Sequence, residues 1–173
     1  TCVMVNLTGV GMLCMIDIGR HTELPIHAHR SGWGALTRDP LLGWSYQAWS
    51  KLWRLAGADH MHVNGFDNKF TESNESVAAS VASLKDPLFG NSPMCAVPVF
   101  SSGQTVRQAA ATLNAAGSPD VLVTAGGGII AHPDGVTEGV KAMRQAYDAA
   151  MQGVDVDVYA KEYHELTAAL AAF

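Results

Sequence analysis

The sequence has few cysteines, and none of them forms a recognisable pattern. Its 173 residues contain Cys2, Cys14 and Cys95, an odd number spread along the chain. This spacing fits neither a disulfide framework nor a zinc motif with closely spaced ligands. We therefore expect free, buried thiols, because cysteine is a small apolar side chain. Free thiols favour a reducing compartment, so we predict a cytoplasmic location.

Long apolar runs and runs of positive charge are also absent. The apolar runs are short and are broken by Gly, His, Asp or Pro, whereas a membrane-spanning helix needs about 20 apolar residues. The net charge is −5, and no cluster of Lys and Arg forms a basic patch. We therefore expect neither a membrane nor a nucleic acid as partner.

Short β-branched segments alternate with longer segments of helical periodicity. The predicted strands are Thr1–Leu7, Leu24–His29, His60–Val63, Ala96–Phe100 and Val121–Thr124. The predicted helices are Met12–His21, Trp44–Ala56, Ser73–Leu84, Thr105–Ala116, Val136–Gly153 and Asp157–Ala172. This alternation predicts an α/β protein with a parallel sheet and right-handed crossovers. An open sheet and part of a closed barrel both fit the periodicity.

Polar residues collect where the predicted strands end. They are His27, His29-Arg30, His60, His62, Ser101-Ser102-Gly103 and Gly126-Gly127-Gly128. The active sites of (β/α)8 barrels lie at the carboxyl ends of the strands, in the loops that follow them. We therefore expect these loops to converge on one pocket.

Two H-x-H pairs end successive strands, and alternate residues of a strand share one face. His27 and His29 therefore point to the same side, and so do His60 and His62. Such pairs suit a catalytic site or, through imidazole nitrogens, a zinc ion. The alternative for each pair is a packed, hydrogen-bonded core histidine.

Three other features indicate an anionic ligand. Glycines at 126–128 follow a strand, where backbone N–H groups can surround a phosphate. Arg30 can form a bidentate contact with phosphate oxygens, and Ser101 and Gly103 belong to a neighbouring loop. Lys69 lies in a polar loop, from which an ammonium group can close over a bound anion.

Four motifs in register resemble the catalytic domain of the RuBisCO large chain. His27-x-His29-Arg30 is similar to its strand five, and Asp59-His60-Met61-His62 with Lys69 is similar to strand six and its mobile loop. Val99 to Gly103 is similar to strand seven. Gly126-Gly127-Gly128 followed by His132-Pro133 is similar to strand eight. The resemblance covers nearly the whole chain and implies the strand-four-to-eight portion of a TIM (β/α)8 barrel, followed by C-terminal helices.

The resemblance also implies roles for individual residues. Arg30, His62 and Ser101 would hold one phosphate end or the polar groups beside it, and Gly103, Gly126 and Gly127 would offer N–H groups to the other anionic end. His29 would move protons beside an enediolate. Lys69 would close over the substrate and stabilise the charge that develops.

Departures from the carboxylase pattern indicate the RuBisCO-like branch. Ser102 replaces a glycine, Val63 replaces a small polar residue, and the loop before Lys69 lacks most of the small and apolar residues of true carboxylases. The segment Trp44–Glu75 resembles 3-oxo-isoapionate-4-phosphate decarboxylase. The resemblance therefore implies a carbon–carbon lyase, a decarboxylase acting on a phosphorylated sugar acid or ketose.

The resemblance further implies parts that these residues do not include. A catalytic lysine, the carbamylated lysine and acidic ligands of Mg2+, and an N-terminal domain that completes the site across a homodimer would all precede Thr1. We therefore expect no metal ligand among these residues, and we expect residues 1–173 to be part of a longer protein or one of two chains.

Several other functions remain open at this point. Within the family they are an enolase or isomerase of methylthio-pentulose phosphates and a true ribulose-bisphosphate carboxylase. Outside it, the H-x-H pairs allow a metal hydrolase. A fragment that binds phosphate weakly and catalyses nothing is the non-enzymatic alternative.

Overall fold

The predicted alternation of strands and helices is present in the computed structural model, which describes every residue except Arg38, Pro40, Leu42, Thr71 and Ser92. The strands are Val3–Asn6 (β1), Ile26–His29 (β2), His60–Asn64 (β3), Val97–Phe100 (β4) and Leu122–Val123 (β5). They form one sheet in the order β1-β2-β3-β4-β5. The pairs β1–β2 and β2–β3 are parallel.

Helices connect the strands and follow the last one. Those in the described residues are Leu7–Arg20 (α1), Gly34–Thr37 (α2), Tyr46–Leu55 (α3), Asn74–Lys85 (α4), Ala109–Ala116 (α5), Gly126–Ile130 (α6), Val136–Gln152 (α7), Val156–Tyr159 (α8) and His164–Ala172 (α9). Two short 3-10 turns, Val106–Gln108 and Ala160–Glu162, precede α5 and α9. No helix of the described residues is long and apolar enough to cross a membrane.

The chain divides into two compact units. The first comprises residues 1–63 and 79–99. Its strands pair in a register that sets Met4 beside His27 and His27 beside His60. A cluster of aromatic side chains from α3 and the segment before it fills part of its core, with the rings of Trp33 and Trp49 4.4 Å apart and those of Trp49 and Trp53 5.6 Å apart.

One buried cation organises the connection between α4 and β4 in the first unit. Arg54 is 1% exposed, and its guanidinium donates hydrogen bonds to four backbone carbonyls. The acceptors are the carbonyl oxygens of Ser83, Asp86, Pro93 and Met94. An arginine with planar, diverging donors can satisfy several carbonyls at once, so this side chain fixes a segment that has little regular structure.

The second unit comprises residues 64–78 and 100–173. In α7 the buried residues recur at helical spacing, so one stripe faces a core that α5 and α9 share. That core contains Val106, Ala109, Ala142, Ala146, Ala160, Leu166, Ala169 and Leu170. Left-handed glycines end two of the helices, Gly117 after α5 with φ 64° and Gly153 after α7 with φ 66°.

The boundary between the first strand and its helix differs from the prediction. The predicted strand ended at Leu7 and the predicted helix began at Met12, but α1 already begins at Leu7. The side chain of Asn6 accepts a hydrogen bond from the N–H of Thr8 and so caps the helix. The conformation of Gly11, with φ 74°, interrupts the helix within the same segment. The glycines thus produce a kink rather than a loop.

The glycine-rich segment at 125–135 contains the short helix α6, because consecutive glycines tolerate helical as well as turn conformations. Two further predictions were wrong. The predicted helix Asp157–Ala172 is broken into α8, a 3-10 turn and α9. The cysteines, expected to be buried, are all exposed, Cys2, Cys14 and Cys95 alike.

Candidate functional site

Four histidines of the first unit form a continuous imidazole cluster, His27 and His29 on β2 with His60 and His62 on β3. The strand alternation that predicted their common face is correct, because the rings touch one another. The ring centroids of His27 and His62 are 4.9 Å apart, those of His29 and His62 are 4.4 Å apart, and those of His27 and His60 are 5.7 Å apart.

Hydrogen bonds fix the orientation of these rings. The Nε2 atoms of His27 and His62 are 2.8 Å apart, so one of the two rings must donate its proton to the other. Nδ1 of His29 accepts the N–H of Ser31 at 3.0 Å. A neutral His29 therefore carries its proton on Nε2.

Two histidines of the cluster, His27 and His62, have lowered pKa values, which favours their neutral form. Burial, followed by the positive charge of His29, His27 and Arg30, lowers the pKa of His62 from 6.5 to about 3. Burial is also the first cause of the lowered pKa of His27, with the charges of His60 and His29 adding to it. Desolvation disfavours the charged imidazole, and each neighbouring cation disfavours it further.

Acid is expected to destabilise the protein through His62. Between pH 6.5 and about 3 the unfolded imidazole binds a proton and the folded one does not. Unfolding then takes up a proton, so the free energy of unfolding falls by up to about 1.4 kcal/mol per pH unit as the pH decreases. Urea unfolding at pH 7, 6 and 5 measures this slope.

In the variant His62→Gln, the free energy of unfolding should depend less on pH, because the contribution of His62 is gone. His21→Gln, at an exposed position, serves as the matched control and should show the same pH dependence as the parent protein. Equal slopes in His62→Gln and the parent protein would contradict the assignment of the acid sensitivity to His62.

Arg30 follows the imidazole cluster directly, at the end of β2. Its guanidinium lies 4.6 Å from the ring centroid of Tyr46, a distance at which a cation is attracted to an aromatic face. The hydroxyl of Tyr46 donates a hydrogen bond to the carbonyl oxygen of His62. The first residue of α3 therefore supports both Arg30 and the end of β3, a role that the sequence did not reveal.

In the second unit, Lys69 lies beside the loop that follows β4. Its backbone N–H donates to the carbonyl of Ser102 at 3.0 Å. Its side chain is exposed, with Nζ 5.6 Å from the ring centroid of Phe70. Gly103 has φ 94°, and a Cβ there would lie 3.5 Å from the Cβ of Lys69. The two predicted site residues Lys69 and Gly103 are thus neighbours.

Two residues that were not predicted as site residues organise this loop. Ser102 occupies the position where the carboxylase motif has glycine. Its φ is 72°, a conformation that residues other than glycine rarely adopt. Its hydroxyl donates to Oδ1 of Asn64 at 2.8 Å, and the N–H of Ser101 donates to the carbonyl of Asn64 at 3.0 Å. Asn64, itself at φ 63°, therefore holds the loop that contains Ser101 and Ser102.

The glycines after β5 divide into two kinds. Positions 126 and 127 have open space where a Cβ would point, whereas a Cβ on Gly128 would lie 2.3 Å from the carbonyl oxygen of Gln104. Gly126 and Gly127 form the first turn of α6, where backbone N–H groups have no partner within the helix. Thr124 donates its N–H to Phe100 at 2.8 Å, so β5 ends beside β4 and the predicted Ser101 loop.

The described residues contain one group of three side chains suited to a metal ion, Cys2 with His27 and His60. These are sulfur and nitrogen ligands, whereas Mg2+ prefers oxygen. The side chains of this group therefore do not fit the Mg2+ that the resemblance implies, and the position of the Mg2+ ligands stays a prediction.

Comparison with known proteins identifies the family. All of residues 1–173 match the family described as ribulose bisphosphate carboxylase large chain, catalytic domain. The chain belongs to this family. The α/β fold class and the RuBisCO-like resemblance predicted from the sequence are thereby confirmed.

Two curated relatives lie within the RuBisCO-like branch. A protein from Xanthobacter autotrophicus named 3-oxo-isoapionate-4-phosphate transcarboxylase/hydrolase is 55% identical over 98% of this chain and 41% of its own length. A protein from Rhizobium etli named 3-oxo-isoapionate-4-phosphate decarboxylase is 40% identical over 99% of this chain and 41% of its own length. This RuBisCO-family chain thus spans about two fifths of the relatives it matches.

A solved structure extends the likeness to three dimensions. The crystal structure of a rubisco-like protein from Burkholderia fungorum superposes with a TM-score of 0.96 at 44% sequence identity, covering 100% of this chain and 43% of that protein. The strands and helices described above therefore correspond to part of a RuBisCO-type fold, as the resemblance to barrel strands four to eight implies.

Proposed function

We propose that this chain is part of a RuBisCO-like enzyme that removes the carboxyl group of 3-oxo-isoapionate 4-phosphate or a closely similar phosphorylated sugar acid. Both relatives named above carry this compound in their names. The single observation of this molecule that carries the proposal is the cluster of nitrogen donors formed by Arg30, His29 and His62.

That cluster suits an anion. The electrostatic causes of the lowered pKa of His62 are all positive, namely His29, His27 and Arg30. A phosphate or carboxylate bound beside them would offset this repulsion and accept their N–H groups. A neutral ligand could accept hydrogen bonds but would not offset the repulsion. Arg30 and His62 therefore keep the anion-binding role that the resemblance implies.

The chemistry of a 3-oxo acid assigns tasks to two residues. When the bond to the carboxyl carbon breaks, its electron pair passes to the oxygen of the neighbouring ketone and forms an enolate. The ammonium of Lys69 would stabilise that negative charge, because fixed charges aimed at a developing anion lower the barrier. The imidazole of His29 would return a proton to the carbon.

The remaining predicted ligands are local groups of the second unit. Ser101 offers a hydroxyl for a polar substrate group, and the open space at Gly126 and Gly127 leaves their N–H groups accessible. Gly103 contributes a further N–H in a conformation that favours glycine. We retain these four as substrate-binding residues.

A second candidate is the transcarboxylase/hydrolase reaction. The relative that carries this name is 55% identical, against 40% for the relative named decarboxylase. A decarboxylase releases the carboxyl carbon as carbon dioxide, whereas a transcarboxylase passes it to another acceptor. The identity of the released carboxyl product distinguishes them.

We also propose that residues 1–173 are part of a longer polypeptide. The basis is the 41% of the relatives' length that the chain spans. Mg2+ ligands, the N-terminal domain and a homodimeric assembly of the complete chain stay predictions, as does the cytoplasmic location. Intact mass and native mass of the natural protein test this directly, since a well-folded monomer of 18.3 kDa would contradict it.

Binding of the phosphorylated acid is expected to stabilise the natural protein that contains this chain. A ligand at a hundred times its dissociation constant adds about 2.7 kcal/mol to the free energy of unfolding. The variant Arg30→Met should lose most of this gain, because the guanidinium contacts phosphate oxygens in the proposed complex. Thermal unfolding with and without 3-oxo-isoapionate 4-phosphate measures the effect.

Two controls isolate the phosphate contact. The unphosphorylated acid should stabilise neither the parent protein nor Arg30→Met. Arg20→Met, at an exposed position of α1, should be stabilised by the phosphorylated acid as much as the parent is. Equal stabilisation of Arg30→Met and Arg20→Met by the phosphorylated acid would overturn the role of Arg30.

A further inference from the structure

Three strands of the first unit bring one thiol and two imidazoles together. The Sγ atom of Cys2 and one ring nitrogen each of His27 and His60 all lie within 4.8 Å of one another. In a tetrahedral zinc site such ligand atoms are about 3.5 Å apart, as metal–ligand lengths of about 2.0–2.3 Å require. Small side-chain rotations would therefore bring the three atoms to coordination distance.

The group lies toward the amino-terminal ends of the strands. Cys2 precedes β1, His60 is the first residue of β3, and His27 is the second residue of β2. Arg30, the proposed phosphate ligand, instead follows the carboxyl end of β2. The thiol–imidazole group therefore contains none of the proposed substrate contacts of this unit and touches them through the hydrogen bond between His27 and His62.

A buried ring nitrogen supplies an independent indication of a ligand. Nδ1 of His60 is buried and has no hydrogen-bond partner among the described residues. Buried polar atoms in folded proteins are almost always satisfied, and a coordinated ion would satisfy this nitrogen. No hydrogen bond within the described residues accounts for it.

The surroundings of His27 fit the same interpretation. Its Nε2 lies 2.8 Å from Nε2 of His62. Coordination through Nδ1 would fix the proton on Nε2, from which it would be donated to His62. Metal-bound histidines commonly donate their second ring N–H in this way, and the partner orients the ligand.

We propose that Cys2, His27 and His60 bind a thiophilic divalent cation, with Zn2+ the expected ion. A thiolate and two imidazoles favour Zn2+ or Co2+ over Mg2+ and Ca2+, which prefer oxygen ligands. Three protein ligands leave the fourth tetrahedral position for water or another group. The site does not depend on the proposed reaction and differs in ligand chemistry from the Mg2+ site that the family implies.

Cobalt substitution tests the site without any assay of activity. Co2+ is titrated into the metal-free natural protein that contains this chain, with excess Mg2+ present throughout. A bound thiolate gives a sulfur-to-cobalt charge-transfer band in the near ultraviolet, and tetrahedral geometry gives intense bands in the visible. One equivalent of Co2+ per chain should saturate both, and Zn2+ should abolish them.

Variants assign the ligands. Cys2→Ser should remove the charge-transfer band, and His60→Gln should weaken Co2+ binding by about a hundredfold or more, beyond the loss that a changed second-shell contact causes. Cys14→Ser and Cys95→Ser remove equally exposed thiols and should bind as the parent does. Circular dichroism of each metal-free variant verifies its fold.

Two results would overturn the proposal. One is a parent protein that gives no charge-transfer band at saturating Co2+. The other is a band that Cys2→Ser retains to the same extent as Cys95→Ser, which would assign the thiolate to another residue.

Discussion

Arg54→Ala is expected to lower the free energy of unfolding by about 3–5 kcal/mol, because it combines a cavity with the loss of the donor to one buried and three part-buried acceptors. The side chain is 1% exposed, and its guanidinium donates to the carbonyls of Ser83, Asp86, Pro93 and Met94. Alanine would leave these carbonyls without their donor, and the carbonyl of Ser83 would be left unsatisfied in a buried position. Chemical denaturation of the parent and the variant measures the difference.

Two further variants show whether the loss of stability comes from the hydrogen bonds of the guanidinium or from the loss of a positive charge. Lys51→Ala removes an exposed cation from the same helix and should change stability by less than about 0.5 kcal/mol. Arg54→Lys keeps the charge but cannot reproduce the planar set of donors. Its loss of stability should therefore lie between those of Lys51→Ala and Arg54→Ala. An Arg54→Ala protein as stable as Lys51→Ala would contradict the structural role of Arg54.

Lys69→Met is expected to reduce kcat of the natural protein about 10²–10³-fold, the loss that follows removal of one preorganised donor to a developing anion. KM should change little, since the negative charge on the ketone oxygen arises only in the transition state. The backbone contact of Lys69 with Ser102 does not involve the side chain and should survive. Steady-state kinetics with 3-oxo-isoapionate 4-phosphate measures both constants.

The control for this prediction is Lys161→Met, which removes another exposed lysine and should leave kcat unchanged. A kcat of Lys69→Met within twofold of the parent would show that the ammonium takes no part in the chemical step. An unchanged kcat with a raised KM would instead assign Lys69 to substrate binding alone.

Much of the fold could be predicted from local patterns. The alternation along each strand predicted a common side for His27 and His29 and for His60 and His62, and the structure brings the rings of the two pairs into contact. Strand–helix alternation predicted the parallel sheet, since parallel strands require crossover connections. Periodicity could not choose a barrel, and the motifs around Arg30 and Lys69 supplied that choice through the family resemblance.

Other features depend on contacts between distant residues and left no local signal. The capping by Asn6 begins α1 at Leu7, before the predicted start at Met12. The hydrogen bond of Ser102 to Asn64 joins residues 38 positions apart. Cys2 meets His27 and His60 only because three strands pair in one register, so no spacing along the chain could reveal the group.

The most direct test of the proposed function follows the carboxyl carbon of 3-oxo-isoapionate 4-phosphate. The natural protein that contains this chain is incubated with substrate labelled with ¹³C at that carbon, and the products are observed by NMR. The account predicts that the label appears as carbon dioxide and bicarbonate, and that Lys69→Met slows its release. A substrate that remains unchanged with the fully assembled, metal-supplied protein would contradict the proposed activity.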